Sequence, residues 1–235
     1  MDITTNDIFS DINGYVISDF NHLNNGKIFK VYTDNLGIIS IYSKSTETFF
    51  SPYSKYNFKL IKGENFFYCT EFELLEYNFL KNKNYILFLN FISEIILKSS
   101  LEGIENCEIF DLITEVLKEY NNFNVKIILI YFVFKYMKFS GYHIIFEKKV
   151  SKNYNFNIME LEIKDLKDSF LDNKYNYKLN FNEYDFLLNL NNKDKVNDIN
   201  NLKENVNYSR ILGVLINALC LNLSVNKLNT LGLFD

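Results

Sequence analysis

The spacing of hydrophobic residues divides the chain into two parts. Between residues 14 and 72, short runs of β-branched and aromatic residues alternate with turn residues, a pattern typical of paired strands. We predict five strands, at residues 15–17, 28–32, 38–42, 58–61 and 66–68. Gly and Asn, which tolerate a positive φ, supply the turns between them. Five short strands joined by tight turns are typical of a small barrel, and the OB-fold is the five-stranded case.

Beyond residue 74 the apolar residues recur every three or four positions, which predicts amphipathic helices. These helices are predicted at residues 84–101, 109–120, 126–142 and 209–219. The third is apolar on nearly every side, so we interpret it as the central helix of a bundle, with a C-terminal cap at Gly141. The stretch from 147 to 208 is rich in Asn, Asp and Lys. We interpret it as a loosely structured insertion with some strand or short-helix content.

These patterns predict an α+β protein with two domains. An OB-fold β-barrel is expected at residues 1–78, and an α-helical bundle domain at residues 79–235. The polar insertion lies within the second domain, at about residues 148–208.

The composition is that of a soluble globular protein, with 48% hydrophobic and 23% charged residues. It is also biased, because 23 Phe and 17 Tyr accompany a single proline and no Trp. Such a bias is typical of an AT-rich genome, so each lysine or aromatic residue is weaker evidence of function than usual. The N-terminus lacks the pattern of a signal peptide, and the apolar run at residues 127–134 is shorter than the roughly 20 residues of a membrane span. We therefore expect a cytoplasmic protein with no membrane partner.

Catalytic and metal-binding patterns are not recognisable. The three cysteines lie far apart, which disfavours a zinc site. Neither His22 nor His143 lies in a local arrangement of Ser, Cys or Asp that suggests a nucleophile and its base. A cluster of carboxylates could be imagined as a Mg²⁺ site, at Glu160, Glu162, Asp165, Asp168 and Asp172. Lysines are interleaved with them, which favours a solvated helix face. We predict a non-enzymatic protein without cofactor or metal.

A basic aromatic segment, residues 26–62, stands out in a chain with a net charge of −4. It contains six lysines against only Asp34 and Glu47. Lysines that follow phosphates and rings that stack on bases are the means by which proteins hold single-stranded nucleic acid. The candidate DNA-binding residues are Lys27, Lys30, Lys44, Lys55, Lys59 and Lys62, with Tyr42 and Tyr53 as stacking rings. The alternative is that these aromatic residues form an ordinary barrel core and the lysines an ordinary surface.

The order of the segments resembles the RecO family of recombination mediators and DNA-repair proteins. Residues 14–17, 27–37 and 39–44 resemble the strands of its OB-fold, including a T-x-x-x-G turn from Thr33 to Gly37 and a strand ending in Lys44. Residues 85–89, 109–113 and 132–141 resemble its bundle helices, and residues 223–227 its final basic region. We recognise no resemblance between 148 and 208, where the insertion stands in place of the family's four-cysteine zinc module.

The resemblance implies a function in DNA repair and recombination. Such a protein would bind single- and double-stranded DNA in the cytoplasm, associate with the nucleoid, anneal complementary strands and help RecR to load RecA. It would also bind the C-terminal tail of the single-stranded-DNA-binding protein in its helical domain. Candidate residues for that tail are Lys126, Lys135 and Lys138. The loop that is rich in arginine in the family lacks basic residues in this chain, since residues 45–50 contain no lysine or arginine. This depleted basic loop implies weaker binding to DNA.

Two alternatives stay open at this point. One is a protein-interaction scaffold of the same fold that binds RecR and the coat-protein tail with little direct DNA contact. The other is an enzyme with an unrecognised metal-dependent site that involves Glu160 and Asp165.

Overall fold

The computed structural model describes residues 7–22, 26–44, 49–78, 83–147, 150–166, 174–199 and 206–230. Its N-terminal part is a closed barrel of five strands. They are β1 (Ile8–His22), β2 (Gly26–Thr33), β3 (Gly37–Ser43), β4 (Lys55–Lys62) and β5 (Phe67–Glu76). The strands are hydrogen-bonded in the order β1-β2-β3-β5-β4, and β1 pairs with β4 to close the barrel. The pairs are antiparallel except for β3 and β5, and the prediction of an OB-fold followed by helices is confirmed.

The barrel core follows from the alternation of side chains along each strand. Its buried residues are Ile12, Val16, Phe29, Val31, Ile39, Ile41, Phe50, Tyr56, Phe58 and Leu60. The ring of Phe50, which precedes β4, lies 4.8 Å from that of Phe29 and 5.3 Å from that of Phe58, measured between centroids. The basic aromatic segment therefore contributes rings such as Phe50 to the core.

Strand β1 is much longer than the predicted run at residues 15–17. It pairs with both β2 and β4, and its register with β4 shifts between Phe9 and Ile12. Asp11, within this irregularity, has a φ of +59°. The irregularity interrupts the alternation of polar and apolar residues, which is why the pattern showed only the central part of the strand.

The T-x-x-x-G turn between β2 and β3 is closed by its threonine. The Thr33 hydroxyl donates to the carbonyl of Gly37 (2.9 Å) and accepts from the N–H of Leu36 (3.0 Å). Gly37 has a φ of +63°, and a Cβ there would lie 2.0 Å from the carbonyl oxygen of Ile104. The motif is thus explained by turn geometry and by the close approach of another backbone segment.

The helices are α1 (Lys83–Ser99), α2 (Cys107–Glu119), α3 (Val125–Phe139), α4 (Phe181–Asn192) and α5 (Tyr208–Asn222). Every residue of α3 from Ile127 to Met137 is buried, as expected of a central helix, and α3 packs against α5. The predicted cap at its C-terminus is confirmed. Gly141 has a φ of +89°, and the N–H of Tyr142 donates to the carbonyl of Met137 (2.9 Å).

The polar stretch after α3 is more regular than we predicted. It contains a four-stranded sheet, β6 (Ile145–Phe146), β7 (Asn153–Asn157), β8 (Glu162–Asp165) and β9 (Asn176–Asn180), in the order β6-β8-β7-β9. Tyr154 of this sheet is fully buried and stacks on Tyr184 of α4 with ring centroids 3.8 Å apart. The segment therefore has an apolar core of its own despite its polar composition.

Contacts divide the chain into two compact units, Met1–Asp111 with Leu228–Asp235, and Leu112–Lys227. The predicted domain boundary after residue 78 follows the end of the barrel and stays a prediction. Across the described ranges, none of the helices is long and apolar enough to cross a membrane.

Candidate nucleic-acid interface

One end of the barrel carries a group of aromatic rings, which we call the barrel-end cluster: His22, Tyr42, Phe66 and Tyr68. Strand β1 ends here, β3 and β4 end nearby, and β5 begins, so the topology brings these residues together. The ring of His22 lies 5.6 Å from that of Tyr42 and 5.8 Å from that of Phe66. Tyr42 also contacts Phe66 and Tyr68, in both cases with centroids 6.0 Å apart.

The rings of the barrel-end cluster are partly exposed. Tyr68 is 45% exposed, and the other three residues are half-buried. Tyr42 lies directly over the backbone of Gly26, where a Cβ would be 2.5 Å from the ring. Partly exposed rings that are held in place by their neighbours are suited to stacking on unpaired bases. The connection between β4 and β5, which carries Phe66, corresponds to one of the loops that bind oligonucleotides in OB-folds.

Three of the six predicted lysines lie at the same end of the barrel. Lys27 is the second residue of β2, Lys44 follows β3, and Lys62 ends β4. Lys27 forms an ion pair with Asp19 (2.9 Å) and lies over the ring of Phe49, 5.1 Å from its centroid. Lys44 and Lys62 are exposed, and neither has a carboxylate partner among the residues that the structure describes.

The other three lysines lie along the barrel wall and are neutralised by carboxylates. Lys30 pairs with Glu102, Lys55 with Glu76 (3.8 Å), and Lys59 with Glu71 (2.7 Å). Lys55 also lies over two rings, 5.5 Å from the centroid of Tyr15 and 5.3 Å from that of Phe110. The structure therefore does not bring the six lysines onto one basic face, and most of the local positive charge is already compensated.

Tyr53 is placed differently from Tyr42, although we predicted that both would contact DNA. It lies just before β4, at the opposite end of that strand from Lys62, and its hydroxyl bonds to Asn90 of α1. Its N–H donates to the carbonyl of Val16 (2.7 Å), and burial raises the pKa of its hydroxyl. Tyr53 therefore joins elements within the first unit instead of presenting a stacking surface.

Three members of the barrel-end cluster were missed in the sequence, namely His22, Phe66 and Tyr68. Each lies within a few residues of a predicted turn, at residues 24–26 or 62–65. In an OB-fold the loops at one end of the barrel take part in binding, so proximity to these two turns was the available signal. Residues 45–48 of the depleted basic loop lie outside the described residues.

The candidate tail-binding lysines of α3 lie at separate places. Lys126 lies in the first turn of α3 and Lys138 in the last turn, twelve positions away, or about 18 Å along a helix. Lys135 is 1% exposed, donates to the carbonyl of Lys193, and lies 5.9 Å from the ring centroid of Tyr131. Its burial lowers the pKa of its ammonium group. The expectation that Lys135 is presented to a peptide on the surface is therefore wrong.

Lys126 lines a cavity of about 660 Å³ in the second unit. The residues that cap the N-termini of three helices also line it: Asn124 for α3, Asn180 for α4 and Asn207 for α5. Helix N-termini and a lysine both favour negative charge. The Lys126 ammonium donates to the hydroxyl of Ser209 (2.7 Å), another residue of the cavity.

The carboxylate-rich segment near residue 160 is a turn, which contains Glu160, followed by a strand, and not the predicted helix face. Glu162 and Asp165 belong to β8, and Glu162 pairs with Lys164. Asp168 and Asp172 lie outside the described residues. Within the described ranges, no three His, Cys, Asp or Glu side chains are grouped so that they could hold a metal ion.

Residues 83–206, more than half of the chain, match the family model described as "Recombination protein O C terminal". The match extends through most of the stretch from 148 to 208, in which we had recognised no resemblance, so that part of the resemblance is corrected. A search of curated proteins found no match.

Proposed function

Because this chain belongs to the RecO family of recombination proteins, we propose that it binds single-stranded DNA through the barrel-end cluster and acts as a recombination mediator. In this proposal the protein works on chromosomal DNA in the cytoplasm, also contacts double-stranded DNA, and anneals complementary strands. It helps RecR to load RecA, and it catalyses no reaction itself.

The observation that carries the proposal is the group of partly exposed rings between the turns of the OB-fold. Stacking of a base on an aromatic ring contributes about 1–3 kcal/mol per base and depends little on sequence. Tyr42 lies at the centre of this group and Tyr68 at its edge. Lys44, which follows β3, and Lys62, which ends β4, lie at the same end of the barrel. A single strand of DNA whose bases stack on these rings would place its phosphates within reach of lysines that are not already paired.

The charge pattern predicts a modest dependence on salt. Six working lysines would give a log–log slope of about −4, at roughly −0.7 for each phosphate neutralised on a single strand. With the two lysines at the barrel end that have no carboxylate partner among the described residues, Lys44 and Lys62, the expected slope is about −1.4. Stacking would then supply much of the binding free energy.

The test is a titration of a fluorescently labelled oligothymidylate, followed by anisotropy at several salt concentrations. Tyr68→Ala is expected to weaken binding by about 1–3 kcal/mol. Tyr77→Ala is the matched control, because Tyr77 is a tyrosine of similar exposure, 49% against 45%, beyond the other end of β5. Equal losses in the two variants, or no binding by the wild-type protein, would contradict the proposal.

A second titration tests the lysines. Lys62→Ala should reduce the magnitude of the salt slope by about 0.7. Lys59→Ala is the control, because Lys59 is already paired with Glu71 and should leave the slope nearly unchanged. If both variants change the slope equally, the ion pairs of the barrel wall do not screen the lysines as proposed.

We also propose that the cavity beside Lys126 receives the acidic C-terminal tail of the single-stranded-DNA-binding protein. The support is the combination of a lysine with three helix N-termini, since a terminal carboxylate favours both. Lys126→Ala should weaken binding of a tail peptide, measured by calorimetry. Lys138→Ala, at the other end of α3, should not. Equal losses would place the peptide elsewhere.

The protein-interaction scaffold is a second candidate function, and one observation favours it. Four of the six predicted DNA-binding lysines are paired with carboxylates, namely Lys27, Lys30, Lys55 and Lys59. A scaffold would bind the tail peptide and RecR but would show no measurable, salt-dependent binding to oligothymidylate. The oligothymidylate titration and the calorimetry with the tail peptide together therefore decide between the two candidate functions.

A further inference from the structure

A three-residue cluster lies on the outer wall of the barrel, where β2 and β3 are paired. Lys30 and Ser40 are directly opposite each other in the register, and the Lys30 ammonium donates to the Ser40 hydroxyl (2.8 Å). Both groups also contact the carboxylate of Glu102. It forms an ion pair with Lys30 and accepts a hydrogen bond from the Ser40 hydroxyl (3.3 Å). The cluster joins residues that are far apart in the chain.

Glu102 belongs to the connection between α1 and α2, residues 100–106, which we call the covering segment. Its backbone is attached to the edge of β3, because the N–H of Gly103 donates to the carbonyl of Ile38 (2.9 Å). Leu101 and Ile104 of the covering segment are 69% and 57% exposed, so their side chains contribute little burial. The segment is thus held by its backbone, and Glu102 supplies its charged contact with the barrel wall.

The cluster is continuous with the barrel-end cluster. Tyr42 and Ser40 are two residues apart on β3, so their side chains project from the same face of the sheet, about 7 Å apart along the strand. In OB-folds, the surface formed by the second and third strands is part of the nucleic-acid site. A single strand of DNA whose bases stack on Tyr42, and which continues along β3, would bring its phosphates to Lys30 and Ser40.

We propose that Lys30 and Ser40 form a phosphate-binding position, and that Glu102 occupies it as an internal competitor when no nucleic acid is bound. This inference rests on the proposed function and adds a means of regulating it. An ammonium group and a hydroxyl are common partners of phosphate oxygens, and a carboxylate accepts the same hydrogen bonds. The side chain of Glu102 is 58% exposed, so it can turn away without detaching the covering segment.

The first consequence is that removing the competitor strengthens binding. Glu102→Gln should increase the affinity for oligothymidylate by about two- to fivefold, the range expected from breaking one surface ion pair. It should also make the salt slope more negative by about 0.7, because Lys30 becomes available to a phosphate. Glu105→Gln is the matched control. It removes the same charge from the same exposed segment, and Glu105 has no ion pair among the residues described.

A double-mutant cycle separates competition from long-range repulsion. If Glu102 competes for Lys30, the gain from Glu102→Gln should disappear in a Lys30→Met background. A gain that persists there, or that Glu105→Gln reproduces, would show a general charge effect and overturn the proposal. Circular dichroism and thermal melting of each variant establish that the barrel is folded before affinities are compared.

A titration with inorganic phosphate tests the position without DNA. In Glu102→Gln, phosphate should shift the NMR signals of the Lys30 side chain and the Ser40 amide at concentrations that leave the wild-type signals unchanged. Absence of such shifts in the variant would overturn the inference, whatever the DNA titration shows. If phosphate binds the variant but neither protein binds oligothymidylate, the position takes free phosphate, and the proposed function fails while the phosphate position stands.

Discussion

Replacing Glu94 by glutamine is expected to release the residues around position 229 from helix α1. The Glu94 carboxylate accepts hydrogen bonds from the N–H groups of Asn229 (2.7 Å) and Thr230 (2.9 Å), and from the Thr230 hydroxyl (2.7 Å). It also pairs with Lys98 (2.6 Å). Burial raises the pKa of this carboxyl group, but the hydrogen bonds outweigh burial and lower the pKa from 4.5 to about 2.

The size of the effect follows from that pKa. One pKa unit corresponds to about 1.36 kcal/mol, so the lowering is equivalent to about 3 kcal/mol. The side chain of Glu94 is only 11% exposed, so solvent screens these contacts weakly. Because the folded pKa lies below the unfolded one, the stabilisation is complete above about pH 4.5 and is lost as the pH falls through 2. At pH 3.5 about 2 kcal/mol should remain.

Hydrogen exchange of the Asn229 and Thr230 amides measures this attachment directly. At pH 7, Glu94→Gln should reduce their protection on the order of 100-fold. Glu71→Gln is the control, because this carboxylate is 71% exposed in its pair with Lys59 and should change stability by less than about 1 kcal/mol. Unchanged protection in Glu94→Gln would refute the reasoning. So would a urea-unfolding difference from wild type that is as large at pH 2 as at pH 7.

Three further substitutions test other contacts. Gly37→Ala should destabilise the barrel by about 2 kcal/mol or more in urea unfolding, because the new Cβ meets the Ile104 carbonyl at a positive φ; a neutral effect would contradict the turn geometry. Gly26→Ala should displace the Tyr42 ring and weaken oligothymidylate binding, whereas retained affinity would argue against a role for that ring. Lys135→Met removes an ammonium whose pKa is lowered by burial. Wild-type stability should therefore rise with pH, relative to the variant, between that lowered pKa and 10.5, and parallel pH profiles would contradict this.

The fold was largely predictable because hydrophobic periodicity reports burial on one face of an element. The positions of the five barrel strands and of four helices follow the pattern, although β1 and β5 extend well beyond their predicted runs. The second sheet was missed, although β7 reads Asn-Tyr-Asn-Phe-Asn, a strict alternation with Tyr154 and Phe156 buried. The strand is only five residues long and its outward positions are all asparagine, so composition obscured a correct period-two signal.

The candidate site was predicted less well, because charge counts do not show which charges are paired. Lys59 is opposite Glu71 across the hairpin of β4 and β5, an arrangement that the turn at residues 63–66 could have indicated. The partner of Lys30 is Glu102, which is 72 positions away in the sequence. No local pattern reports such a contact, since it depends on how the covering segment lies against β3.

The distribution of charge and rings bears on how annealing could work in the proposed function. A protein that binds single-stranded DNA mainly through its phosphates must neutralise many charges. In this protein, most of the candidate lysines are already paired with carboxylates. Stacking uses the face of a base and leaves its Watson–Crick edge free. A strand held on Tyr42 and Tyr68 could therefore begin to pair with a complementary strand before it is released. It follows that, when the two variants are compared at equal occupancy of the DNA, Tyr68→Ala should slow annealing more than Lys62→Ala does. The opposite order would favour an electrostatic mechanism.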